Sequence, residues 1–253
     1  MRIISVINYK GGTAKTTTAL HLAMGLSLAG FKVLAIDADP QGSMTQFFGL
    51  DDGKKGLYDV LVGLTSFAQC KVAISRNLHA ICANERLYPA ELKMMLMPKK
   101  ELLLRSKMAS CGGYDYVLID CAPSMNLLNQ NALLASHELI VPVSMEYMAL
   151  SGVKQLLNNL KIVNKIFDKN VVLSKVVPTF YNARQKKSAT VLESLTRVFP
   201  SGRISSPIRS SLVVSEALVR RKTVFEYAPD ASVTKDYQNL VSEVIKDGQK
   251  KAI

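Results

Sequence analysis

A chain of 253 residues, 48 % hydrophobic and 21 % charged, can bury the core of one large α/β unit and is too apolar for a disordered protein. Its apolar runs all stop well short of the ~18 residues of a membrane-spanning helix, and the first leads straight into a glycine loop, so neither a transmembrane nor a secretory segment is expected. The formal net charge is +12, and eleven lysines and arginines against two glutamates between Lys169 and Lys222 supply +9 of it; an excess confined to one segment has the form of a polyanion-binding face.

Arg2 to Asn8 reads as a strand. The loop Tyr9-Lys10-Gly11-Gly12-Thr13-Ala14-Lys15-Thr16-Thr17-Thr18 follows, and Ala19 to Leu28 has apolar residues at helical spacing. A strand, a glycine loop and a helix opening on Lys-Thr make a phosphate cradle. The amides of residues 11 to 16 and the helix N-terminus face an anion, Lys15 brings a point charge to the β- and γ-phosphates, and the Thr16 hydroxyl can ligate Mg²⁺. The general pattern has glycine where Ala14 stands, and a methyl group there is strained if the loop needs positive φ. Lys32 to Asp37 is a second strand, ending in Asp37-Ala38-Asp39-Pro40-Gln41-Gly42 at the rim where open parallel sheets bind ligands, with Asp39 facing the phosphates.

Residues 43 to 113 are the least readable. Gly56–Leu61 resembles a short helix and Asn77–Cys82 a strand, and Leu87–Met108 one or two amphipathic helices broken near Pro98, with Met94 to Met97 in the core or facing a partner. Tyr114 to Asp120 is an apolar strand ending in a carboxylate, placed to hold Mg²⁺ through its water shell. A helix over 125–135, a strand over 138–143, a helix from Leu150 to Phe167, a strand from Val171 to Val177, a loop from Pro178 to Arg184, a helix from Gln185 to Phe199 and a closing helix from Asp236 to Ile245 follow. In that last helix Tyr237, Leu240, Val241, Val244 and Ile245 form one stripe. The alternation specifies one α/β domain over residues 1–253, a mostly parallel twisted sheet with helices on both faces. Cys70, Cys82, Cys111 and Cys121 lack metal-site spacing and are expected as buried reduced thiols of a cytosolic protein; His21, His79 and His137 are expected to be packed or surface residues.

Lys10 to Thr17 resembles the deviant Walker A motif of the ParA/MinD family of P-loop ATPases, departing at Ala14. Asp37 to Gln41, Tyr114 to Ser124, Asn131 to Val143, Glu146 to Gly152, Ser215 to Ala217 and Lys222 to Tyr227 are similar to partition ATPases of that family, so the likeness spans essentially the whole chain. It implies ATP and Mg²⁺ as cofactors and a P-loop NTPase fold. Lys10, Gly11, Gly12, Thr13, Ala14, Lys15, Thr16 and Thr17 would hold nucleotide, and Thr16, Asp39 and Asp120 the metal. Lys10, Lys15 and Asp39 would be catalytic, Asp39 by positioning and activating the attacking water and Lys10 by reaching the phosphates held by a second subunit. Pro178, Thr179 and Tyr181 would border the adenine. The implied protein is an ATP-dependent homodimer in the cytoplasm and on the nucleoid. It would bind double-stranded DNA without sequence preference, here through Arg184, Lys187, Arg209, Arg220 and Arg221, and be released when a ParB-like adaptor stimulates hydrolysis. The arginines common just before Ser-Glu-Ala are replaced by Ser210 and Val213, with Arg209 displaced by one position.

Three related readings compete. A MinD-like membrane-cycling ATPase needs an amphipathic carboxyl-terminal helix, and the tail after Ile245 is too polar and short for one, so no membrane partner is expected. A nitrogenase-like reductase needs cysteines placed to share a cluster across the dimer. An ATPase that positions a protein cargo over the nucleoid is not separable by sequence from one that moves DNA.

Overall fold

A computed structural model describes residues 1–50, 55–200 and 202–250. In chain order the elements are β1 (Arg2–Val6), α1 (Lys15–Leu28), β2 (Val33–Ala38), α2 (Ser43–Phe47), α3 (Leu57–Leu61), α4 (Phe67–Cys70), β3 (Val72–Ser75), β4 (Leu78–Ile81), α5 (Leu87–Met95), α6 (Leu103–Met108), β5 (Tyr116–Cys121), α7 (Leu127–Ala135), β6 (Glu138–Ser144), α8 (Ala149–Ile166), β7 (Val172–Thr179), α9 (Lys186–Val198), α10 (Leu212–Val219), α11 (Val224–Tyr227) and α12 (Ser232–Lys250). The strands form one sheet in the order β3-β4-β2-β5-β1-β6-β7, parallel except for β3, which pairs antiparallel with β4 at the edge.

The central strands are apolar runs because both of their faces are covered. Along β1, β2 and β5 the side chains alternate between two cores. Ile3, Leu34, Ile36, Val117 and Ile119 pack under α3, α5, α6, α7 and α8, and Ile4, Val6, Val33, Ala35 and Leu118 pack under α1, α11 and α12. On the second face α1 and α12 approach so closely that a Cβ on Gly25 would run into Val241 and Phe225.

The alternation, both helical layers and the Tyr237, Leu240, Val241, Val244 stripe of α12 agree with the sequence, as does the burial of the four cysteines, none of which forms a disulfide among the described residues. The region 87–108 is broken as expected, into α5, a 3₁₀ turn at Lys100–Leu102, and α6. Met94 is in the core while Met95 and Leu96 are exposed. The edge strand β3 and the short helices α2 and α4 were not legible. β3 is four residues long with alternating half-buried and exposed positions, too short for a period to register. The closing helix runs beyond Ile245 to Lys250, and the last three residues of the polar tail lie outside the described residues. Among the described residues no helix is long and apolar enough to cross a membrane.

His21 joins α1 to the carboxyl-terminal layer. Its Nδ1 donates to the Thr17 carbonyl at 2.7 Å, its Nε2 accepts from the Val224 amide at 3.1 Å, and its ring stacks on Tyr237 at 4.2 Å. Burial pushes its pKa down to about 4. The folded chain therefore binds this proton less readily than the unfolded chain, whose His titrates near the ordinary 6.5, so stability is lost as pH falls from 6.5 toward 4. Between pH 7 and pH 5 this amounts to about 2 kcal/mol. Urea unfolding at both pH values should show a parental loss that is smaller by about that amount in His21→Gln; equal losses would show that His21 is not the titrating group.

Candidate nucleotide site

The parallel strands end at one rim, and their carboxyl ends carry every chemically distinctive loop. β1 runs into Asn8, whose Nδ2 donates to the Pro142 carbonyl beyond the neighbouring strand at 2.8 Å and whose Oδ1 accepts from the Lys10 amide at 3.0 Å. That pair launches the loop from a fixed point. Gly12 lies at φ 68° and Ala14 at φ 63°. No side chain caps α1, and Ala14 occupies its N-cap in the left-handed conformation, so the first-turn amides of α1 are left for an anion. A Cβ at Gly11 or Gly12 would meet nothing within 4 Å, so the cradle is open. From below, the Thr179 hydroxyl donates to the Thr13 carbonyl at 3.2 Å.

Lys15 is buried and its Nζ donates to the Lys10 carbonyl at 3.0 Å, curling the ammonium under the loop. Burial lowers its pKa, while Asp120 and Asp39 pull the other way. Asp120 stands at the end of β5, beside Asp37 of β2 and Val6 of β1 in register. It is fully buried, and neither carboxylate oxygen has a hydrogen-bond partner in good geometry. Burial raises its pKa well above the carboxylate range, Asp37 adds to this, and Thr16 and Lys15 oppose it.

Asp39 accepts from the Gln41 amide at 2.9 Å. Asp37, which carries no role of its own in the sequence reading, accepts from the Thr45 amide and hydroxyl, both at 2.8 Å, and from the Asp39 amide at 3.2 Å. Burial pushes its pKa up to about 6 against those three bonds. Lys10 sits at the open side of the loop in an exposed ion pair with Glu146, and Met125, Tyr147 and Met148 are exposed on loops that leave the same rim.

Beside Ala14 and Thr17 a cavity of about 420 Å³ is lined by Thr179, Phe180, Ile208, Ser211, Leu212 and Leu218 among others. Of the residues read as adenine neighbours, Thr179 lines it. Pro178 and Tyr181 do not; their backbones pair with the segment at 208–210. Phe180, at φ 56° and 48 % exposed, lines the cavity and was missed, because a single aromatic after a strand carries no pattern.

Of the basic candidates, Arg184, Arg220 and Arg221 are exposed and Lys187 is half-buried. Arg220 lies over the Tyr227 ring at 5.0 Å. The Arg209 guanidinium is held by both oxygens of Asp236 at 2.6 and 2.8 Å. Lys175, counted in the basic segment, is buried between Glu243 and Asp247 and adds nothing to a surface.

A family model described as an AAA domain matches residues 1–173. The sporulation initiation inhibitor protein Soj of Bacillus subtilis is 34 % identical over 251 residues, covering 98 % of this chain and 99 % of that one. The chromosome partitioning protein ParA of Caulobacter vibrioides is 33 % identical over 261 residues, covering 100 % and 98 %. The chain belongs to the Soj/ParA family. A solved structure, cobyrinic acid a,c-diamide synthase from Mycobacterium smegmatis with bound ADP and magnesium, is similar at 32 % identity and a TM-score of 0.78, covering 87 % of this chain and 94 % of that one. Within the Soj/ParA family this chain has Ala14 in the left-handed region, which costs an L-residue roughly 1–2 kcal/mol. Gly removes that strain but gains freedom in the unfolded chain, an offset of about 0.4–1 kcal/mol. Ala14→Gly should therefore leave the thermal midpoint no lower than the parent and raise it by up to about 3–6 °C; a lower midpoint would mean that Ala14 is held without strain.

Proposed function

We propose that the chain is an ATP-hydrolysing DNA-partition protein, in which ATP with Mg²⁺ closes two copies face to face and the closed pair binds duplex without sequence preference. The observation that carries this reading is Asp120, a buried carboxylate without a partner beneath an open phosphate loop. Three carboxylates, Asp37, Asp39 and Asp120, crowd around one lysine, a charge balance that repels a polyphosphate unless a divalent cation enters with it. Thr16, Asp39 and Asp120 are the residues that would hold Mg²⁺, an ion that takes one or two carboxylates and keeps waters and substrate phosphates as its other ligands. Bound there, it would neutralise charge on the β- and γ-phosphate oxygens.

In this reading the loop amides and Lys15 bind the phosphates and stabilise the charge that develops as the bond between the γ-phosphorus and the β,γ-bridging oxygen breaks. Asp39 orients the water whose oxygen forms the new bond to phosphorus, and ADP leaves. The cavity lined by Thr179 and Phe180 is of a size and position to take the base. The exposed Met125, Tyr147 and Met148 around Lys10 supply apolar surface for a second copy, and Lys10, released from Glu146, would reach that copy's phosphates. A ParB-like adaptor stimulating hydrolysis would open the pair. The names of the Caulobacter and Bacillus relatives favour DNA as cargo over a protein assembly.

Duplex binding over a salt series, with Mg²⁺·ATP and with Mg²⁺·ADP, tests the reading. Binding by the parent should require ATP, and Lys15→Ala should bind weakly with either nucleotide, since the charge that holds the phosphates is gone. Arg184→Glu, Lys187→Glu, Arg220→Glu and Arg221→Glu should each flatten log affinity against log salt by about one unit, with Arg209→Glu flattening it least because Asp236 already neutralises that arginine. Nucleotide-independent binding, or parental slopes in every variant, would contradict it.

A further inference from the structure

Helix α2 begins at Gly42, which has no side chain to cap it and sits at φ 63°. The amide three residues in, that of Thr45, is capped instead from the neighbouring strand by Asp37, at 2.8 Å, and the Thr45 hydroxyl donates to the same carboxylate oxygen at 2.8 Å. The other oxygen accepts from the amide of Asp39 at 3.2 Å. Thr45 is itself tied elsewhere: its hydroxyl accepts from the Ala83 amide, just beyond β4, at 2.8 Å. The turn between is closed by the Gly42 amide donating to the Asp39 carbonyl and the Gln41 amide donating to the Asp39 carboxylate, both at 2.9 Å. Both ends of the segment from Asp39 to Thr45 are thus fixed to one buried carboxylate.

We propose that Asp37 and Thr45 are positioning residues for hydrolysis: together they hold the turn so that the Asp39 carboxylate is aimed at the attacking water. The inference rests on the assignment of Asp39 as the water-directing group. Asp37 is 1 % exposed and Thr45 1 %, with Asp37 committed to three donors, so neither reaches substrate; they act through Asp39. The Thr45 hydroxyl is the informative atom. It both donates to Asp37 and accepts from Ala83, so its removal loosens the turn from both of these anchors at once while leaving the phosphate loop, Lys15 and Asp120 in place.

The test is steady-state ATP hydrolysis by the full chain, with KM and kcat taken separately and thermal midpoints recorded beside them. Thr45→Val keeps the shape and drops the hydroxyl. It should lower kcat about 10- to 100-fold, the range expected when a reacting group is misplaced by about an ångström, with KM within about twofold of the parent. Thr45→Ser, which restores the hydroxyl, should return kcat to within about threefold of the parent. Asp37→Asn, isosteric and uncharged, is an independent probe expected to show the same split. In the Asp39→Ala background Thr45→Val should produce no further loss, because a residue that acts only through Asp39 has nothing left to act on. Parental kcat in both Thr45→Val and Asp37→Asn would overturn the inference, as would a Thr45→Val loss of equal size with and without Asp39. Parental kcat in Asp39→Ala would instead overturn the assignment of Asp39, and the inference with it.

Discussion

Asp120 is the constraint around which the rim of the sheet is built. A carboxylate at the end of a buried central strand has no water to solvate it, and here, among the described residues, neither of its oxygens has a hydrogen-bond partner in good geometry, with only Thr16 and Lys15 near enough to favour its charge. An uncompensated buried charge is among the costliest features a fold can carry, and its ordinary escape is to hold a proton, as the upward shift of Asp120 indicates. The register of the parallel strands makes the position unavoidable. Val6, Asp37 and Asp120 are neighbours across β1, β2 and β5, so the phosphate loop, the turn carrying Asp39 and the loop after β5 leave the sheet at one place. In the proposed function, charge that destabilises the empty chain would become, with a cation and phosphates in place, the means of holding them.

The surroundings treat the two neighbouring carboxylates in opposite ways. Asp37 is given three donors and serves as a fixed point for the backbone, whereas among the described residues Asp120 has no hydrogen bond in good geometry. Lys15 and Lys10 divide in a similar manner. Lys15 is buried and bonded to the loop's own carbonyl, and Lys10 stays at the surface in an ion pair with Glu146. The strain at Ala14 and the uncapped first turn of α1 lie in the same few residues. Strained backbone, an orphaned acid and unpaired amides are each unfavourable alone, and their concentration at one rim is the physical signature of a site.

What the sequence disclosed and what it withheld divide along the same physical lines. β1, β2 and β5 were legible because strands covered on both faces must be continuous apolar runs, and the loop from Lys10 to Thr17 because glycines before Lys-Thr serve few other purposes. The family likeness in those segments carries through at 33–34 % identity over nearly the whole chain. Partners made by folding were not legible. The role of Asp37 depends on Thr45, eight residues on, folding back over it. The cavity near Phe180 is built from residues 208–218, which no spacing links to the phosphate loop. Lys175 read as surface charge because the acids that bury it, Glu243 and Asp247, lie on a helix some seventy residues away in sequence. Met94 and Met95 are adjacent yet face core and solvent, a separation that only the placement of α5 decides.

The central claim, that Asp120 is held empty-handed for a cation that arrives with nucleotide, is tested most directly by thermal unfolding of the parent and Asp120→Asn with and without Mg²⁺·ATP. The substitution keeps the shape and removes the charge. The account predicts that Asp120→Asn without ligand melts at the same temperature as the parent or higher, and that the stabilisation Mg²⁺·ATP gives the parent is largely lost. A variant that melts lower when empty and is stabilised by Mg²⁺·ATP as much as the parent would contradict it.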